Sequence, residues 1–156
     1  NVLLPSEIKG RITKEDQKKA MASLDLVGLK GFEFHFPKQL SGGMQQRVAL
    51  ARLIQTGANI MLMDEPFGAL DEFTRERLNV ELMRIVGELK ATTLFVTHNI
   101  QEAIFLADRV MVMTPRPGRI AKIIEVKFER PRDISIQTSR DFNMIVEQVR
   151  DTLGSH

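Results

Sequence analysis

The spacing of apolar positions changes several times along this 156-residue chain, and each change predicts an element. Asn1 to Pro5 reads as an entry segment. Thr13 with Asp16 three residues on is a capping box. Ala20, Leu24 and Val27 then fall at i, i+4 and i+7, so a helix is predicted until Gly28 and Gly31 end it. Phe32, Phe34 and Phe36 alternate in a loop that Pro37 closes, and a second helix follows Gly43 to about Gln55. Ile60 to Met63 is wholly apolar between Asn59 and Asp64, the pattern of a strand buried on both faces. A long helix is predicted from Glu72 to Lys90, with Phe73, Leu78, Leu82, Ile85 and Leu89 as its apolar stripe. Gly87 weakens its last turn by about 1 kcal/mol relative to alanine.

Thr93 to Thr97 is a second buried strand, ending at His98, and a short helix from Ile100 to Ala107 leads to a third strand, Val110 to Met113. Pro115, Pro117 and Gly118 force a turn. Ile120 to Phe128 returns as the other arm of a hairpin, until Pro131. The last helix spans Ser139 to Leu153, with Phe142, Ile145, Val146, Val149 and Leu153 on one face. Strands alternating with helices predict an α/β fold on a parallel sheet.

Composition narrows the function classes. Hydrophobic residues make up 43% and charged residues 27%, ordinary for a soluble globular domain of this size. A formal charge of +2, from 22 basic and 20 acidic residues, gives no reason to expect nucleic acid as a partner. The absence of cysteine excludes disulfides, thiol catalysis and zinc–thiolate sites. No apolar run approaches the roughly 20 residues that span a bilayer, so direct membrane insertion is not expected and membrane association would go through a partner. No signal peptide is visible, and the chain opens on Asn1, as a fragment would.

Candidate chemistry gathers at element ends. Ser41, Gly42 and Gly43 open a helix, where free N–H groups and the positive end of the helix dipole attract anions. Taken alone, the same residues read equally as a serine cap beside a glycine turn. Asp64 and Glu65 emerge at the C-terminal end of an apolar strand, where open α/β sheets bind ligands. There Asp64 can hold Mg²⁺ through water and Glu65 can polarise an attacking water. An isolated Asp-Glu pair before Pro66 is otherwise a solvated acidic turn. His98 ends the next strand and is placed to touch a phosphate, although a lone histidine is more often structural. Asp71 heads a helix and would pass as a plain cap. His35 and His156 have no partner residues nearby and receive no role.

The order of these features is more specific than any of them. LSGGMQQRVALAR (Leu40 to Arg52), IMLMDEPFGALD (Ile60 to Asp71) and FVTH (Phe95 to His98) follow one another. That succession resembles the ATP-binding cassette family, the ATPase subunits of ABC transporters. LSGGM is similar to the signature motif, with Met44 where glutamine is commonest; IMLMDEP resembles Walker B, GALD the D-loop and the histidine of TH the switch histidine. The resemblance implies a P-loop NTPase-type sheet with a helical signature subdomain, and ATP and Mg²⁺ as cofactors. Ser41, Gly42 and Gly43 would contact the γ-phosphate of ATP held by a second subunit. Asp64 would assist Mg²⁺, Glu65 would be the catalytic base, His98 the γ-phosphate sensor, and Asp71 would communicate across a homodimer. Met44 leaves open any ribose contact of the usual glutamine. MTPRPGRI (Met113 to Ile120), ERPR (Glu129 to Arg132) and the opening NVLLP resemble the nitrate, sulfonate and taurine importer group. The implied setting is the cytoplasmic face of a membrane, beside a membrane-spanning permease. A cassette acting on DNA or ribosomes is disfavoured, because no coiled-coil insertion separates the motifs and no basic tract occurs.

One expected part is missing. A P-loop ends in glycine followed by lysine, and none of the 10 glycines is followed by lysine. The resemblance therefore divides the chain into residues 1–56, the remainder of the helical signature subdomain; 57–130, from Walker B to the switch histidine and an edge hairpin; and 131–156, a C-terminal helix. Lacking the Walker A strand, such a piece is expected to expose strand edges and to be inactive alone. A non-catalytic module that docks to a permease or a full-length subunit is the alternative.

Overall fold

The computed structural model describes residues 1–68 and 70–155; Ala69, second in the GALD run, and His156 lie outside the described residues. The chain divides into two compact units, Asn1–Leu94 and Phe95–His156.

The first unit begins with three helices, α1 (Leu4–Lys9), α2 (Lys14–Leu26) and α3 (Gly42–Gln55). The entry segment is thus partly helical, because Pro5 in the first turn is preset for helix and has no N–H to waste there. Thr13 and Asp16 form the expected capping box, with each side chain accepting the other's backbone N–H. Ala20 and Leu24 of α2 and Leu50 and Ala51 of α3 are buried where these two helices pack. The carbonyls at the end of α2 are capped from outside: Arg47 of α3 donates to Val27 and Gly28 at 3.4 and 3.3 Å. Arg84 donates to Leu26 at 2.9 Å, the charge complement a helix C-terminus favours.

After α3 come β1 (Ile60–Asp64), α4 (Glu72–Leu89) and β2 (Thr92–Val96). β1 and β2 pair in a two-stranded parallel sheet, opened by Thr92 N–H donating to the Asn59 carbonyl at 2.8 Å. Here the burial expectation is corrected. Met61 and Met63 point into the core, but Ile60 and Leu62 are 66% and 71% exposed, and β2 alternates in the same way. A strand reads as apolar on both faces when both are destined for cover, and within this unit only one face has it. On α4, Leu78, Leu82 and Ile85 are buried as expected, whereas Phe73 is 83% exposed. The helix is one residue shorter than predicted and ends with Lys90 in the left-handed region.

The second unit holds α5 (Ile100–Leu106), β3 (Arg109–Met113), β4 (Ile120–Glu125) and α6 (Arg140–Gly154). β3 and β4 form the predicted antiparallel hairpin, with Val110 opposite Ile124 and a shift in register at Val112/Met113. The inward side of the hairpin buries Val110, Val112 and Ile124. α6 packs on it through Phe142, Val146 and Val149, and the Phe142 ring stacks on Phe128 at 6.1 Å. A short turn of tight helix, Ile134–Thr138, precedes α6 and was not legible in the periodicity.

Candidate nucleotide site

The start of α3 is built by the loop that feeds it. Phe36 N–H donates to the Gln39 side chain, and Gln45 reaches back from α3 to donate to the Pro37 and Leu40 carbonyls at 3.0 and 3.1 Å. Ser41 is extended, with φ −64° and ψ 162°, and its hydroxyl accepts Met44 N–H at 3.3 Å. Ser41 is therefore a helix cap; it and Gly42 are exposed, and Gly43 is half-buried. The cap and the anion-attracting helix start are one structure: the serine that closes the helix also lines its positive end.

Asp64 ends β1 and Glu65 opens the turn after it, both exposed. Glu65 has φ +42°, a left-handed conformation that non-glycine residues adopt at a cost. The turn closes as Gly68 N–H donates to the Glu65 carbonyl at 3.1 Å, and Phe67 is buried beneath it. A Cβ on Gly68 would lie 3.3 Å from Glu65 Oε2, so the missing side chain leaves the carboxylate its place.

Leu70 leads to Asp71, whose carboxylate accepts Thr74 N–H at 3.0 Å and caps α4. Hydrogen bonds from the Thr74 hydroxyl and amide hold the Asp71 carboxyl below the usual aspartate value. The starts of α3 and α4 are neighbours, since a Cβ on Gly43 would stand 3.3 Å from Thr74 Cγ2. The residues of the signature run and Asp71 are thus brought together through Thr74, in the same unit as Asp64 and Glu65.

His98 belongs to the second unit and is exposed in the loop between β2 and α5. Asn99, beside it, caps α5 by accepting Glu102 N–H at 3.0 Å. His35, given no role, is exposed, with its ring tilted against Phe32 at 5.1 Å. Two residues of consequence were not singled out in the sequence. Glu102 is buried behind the His98 loop; the Asn99–Glu102 spacing, that of a capped helix start, was the available signal. Arg132 is buried too, and its guanidinium donates to the carbonyls of Ile104, Phe105 and Ala107 at 3.2, 2.8 and 2.8 Å, closing the end of α5. Burial pushes its pKa down, against the pull of Asp108. Among the described residues no group of three or more histidines and carboxylates is placed to hold a metal by itself.

Residues 2–68 match the family model described as ABC transporter. An uncharacterized ABC transporter ATP-binding protein of Methanocaldococcus jannaschii is 50% identical over 142 residues, 91% of this chain and 52% of that protein. An aliphatic sulfonates import ATP-binding protein of Bacillus cereus is 42% identical over 149 residues, covering 96% of this chain and 57% of its own length. This chain belongs to the ATP-binding cassette family. A solved dimeric bacterial ABC transporter cassette superposes with a TM-score of 0.66 at 34% identity, over 82% of this chain and 56% of that one. The cassette described here thus has the P-loop NTPase-type α/β fold. It spans about half the length of the curated relatives it matches. None of its helices among the described residues is long and apolar enough to cross a membrane.

Proposed function

We propose that this cassette is part of the ATP-hydrolysing subunit of an importer for a small nutrient of the nitrate, sulfonate or taurine kind. The observation that carries the reading is the Asp64–Glu65 turn. Two exposed carboxylates stand at the C-terminal end of a strand, with Glu65 in a strained backbone conformation over a glycine. Strain of that kind persists where the surrounding structure enforces it, and functional sites are where it gathers. Asp64 fits a Mg²⁺ ion held largely by water and phosphate oxygens, since a single hard carboxylate is the usual protein share. The bound ion would neutralise phosphate charge. Glu65 orients and deprotonates the attacking water, and His98 contacts the γ-phosphate.

The exposed start of α3 supports the second half of the reading. Ser41, Gly42 and Gly43 offer an anion site to ATP held by another subunit, which makes the functional unit a homodimer. Asp71, one contact away through Thr74, carries the state of one half to the other. The helical portion within residues 1–56 would meet the permease. Residues 57–130 would carry the Walker B to switch-histidine core, and residues 131–156 would close it with α6. The protein would lie against the cytoplasmic face of the membrane, held by the permease.

ATP turnover measured with this chain alone, and with it added to a full-length cassette subunit, tests the division of labour. No lysine-bearing phosphate loop occurs among these residues, so the chain alone is expected to give no turnover. Turnover alone that vanishes in Glu65→Gln would overturn this. A chain that binds the full-length subunit and never alters its turnover would instead favour the non-catalytic interaction module.

A further inference from the structure

The loop carrying His98 rests on a buried carboxylate that the roles above do not use. Glu102, in the first turn of α5, is 5% exposed. One of its oxygens accepts a short hydrogen bond from the Thr97 hydroxyl, and the other, Oε1, has no hydrogen-bond partner among the described residues. The Thr97 hydroxyl works twice, for it also accepts Asn99 N–H at 3.0 Å. Asn99 in turn accepts Glu102 N–H through its side chain at 3.0 Å. These three hydrogen bonds form a closed ring through the residues on either side of His98. The other end of α5 is fixed as well, by the Arg132 guanidinium on its last carbonyls.

Burying a carboxylate is costly. An acid in the first turn suits the helix dipole from an exposed position, but this one is buried and turned to the Thr97 hydroxyl, while the Asn99 amide that a capping box would offer it goes to Thr97 instead. The expense makes sense if the carboxylate holds something else in place. We infer that Glu102, acting through Thr97, is a positioning residue that fixes the backbone on both sides of His98, so that the imidazole meets a phosphate without first ordering its loop. The inference rests on the reading of His98 as a γ-phosphate contact. Its energetic sense is preorganisation: a loop fixed before the ligand arrives adds no ordering cost to the transition state.

Amide hydrogen exchange in this chain reads the ring of bonds directly. Thr97→Val and Glu102→Ala are each expected to speed exchange at the Asn99 amide about tenfold, while the amides of β3 and β4 keep their rates. Thr97→Ser, which retains the hydroxyl, is expected to exchange like the unsubstituted chain. Should Glu102→Ala fail to fold, the Thr97 pair decides. In a cassette completed upstream with a phosphate loop, Thr97→Val should lower kcat about tenfold with KM for ATP unchanged, and Thr97→Ser should restore it. An unmoved Asn99 amide, acceleration spread evenly over residues 95–155, or an unchanged kcat would each overturn the inference. If the completed but unsubstituted cassette fails to hydrolyse ATP, the hydrolase reading falls while the exchange data still judge the ring, so the two failures are told apart.

Discussion

Glu65 holds its carboxylate at the end of β1 by adopting φ +42°, and the strain has a measurable consequence. A left-handed non-glycine residue costs on the order of 1 kcal/mol, which glycine at the same position would relieve. Glu65→Gly is therefore expected to raise stability to urea by about 1 kcal/mol while removing the proposed base. Glu65→Ala, which keeps a Cβ and so keeps the strain, should show no such gain. Equal stabilities of the glycine and alanine variants would mean that the turn stores no strain. Other residues divide the same way between folding and chemistry. Ser41 caps α3 and lines its anion-attracting end, so its two readings from the sequence are not rivals. Arg132, part of the ERPR run that resembles one importer group, is a buried structural donor to the end of α5.

At the scale of elements, three caps make stability depend on pH in the acid range. Asp16, Asp71 and Asp133 each sit at the start of a helix or helical turn. Hydrogen bonds from Thr13, Thr74 and Ser135 hold their carboxyls below the ordinary aspartate value of 3.8. A folded-state pKa below the unfolded one gives stability that is complete above about pH 4 and is lost as pH falls through the folded value. Helical circular dichroism followed against pH in fixed urea should fall below about pH 4, and less steeply in Asp71→Asn, which keeps an acceptor that does not titrate. Identical profiles would remove Asp71 from the account. These caps were readable because Thr13–Asp16, Ser41 and Asp71 are local signals, each complete within four residues. The hairpin was readable for the same reason, from prolines and glycine between two apolar runs. Exposure was not. Ile60, Leu62 and Phe73 carry an apolar pattern, and whether an apolar face is covered depends on residues distant in sequence. Arg132 escaped because its partners lie on α5, far away in sequence. The partners of Glu102 are local, but its burial is set by distant residues and is not written in the Asn99–Glu102 spacing.

For the whole molecule, the exposed apolar face of β1 is the feature with the largest consequence. Ile60 and Leu62, with Leu94 of β2 also exposed, leave strand surface without cover in the first unit. Such surface favours association. Light scattering is expected to find this chain associated at micromolar concentration, and Ile60→Lys with Leu62→Lys is expected to reduce the association. A monodisperse monomer would count against it. In the proposed reading the chemistry would also belong to more than one part: Ser41 to Gly43 would meet a nucleotide held elsewhere, while Asp64, Glu65 and His98 would serve a nucleotide held by a phosphate loop. Steady-state ATP hydrolysis by the cassette completed upstream with such a loop, compared with its Glu65→Gln variant, tests the central claim most directly. The account predicts that the variant keeps ATP binding and loses turnover by about a hundredfold or more; turnover unchanged by Glu65→Gln would contradict it.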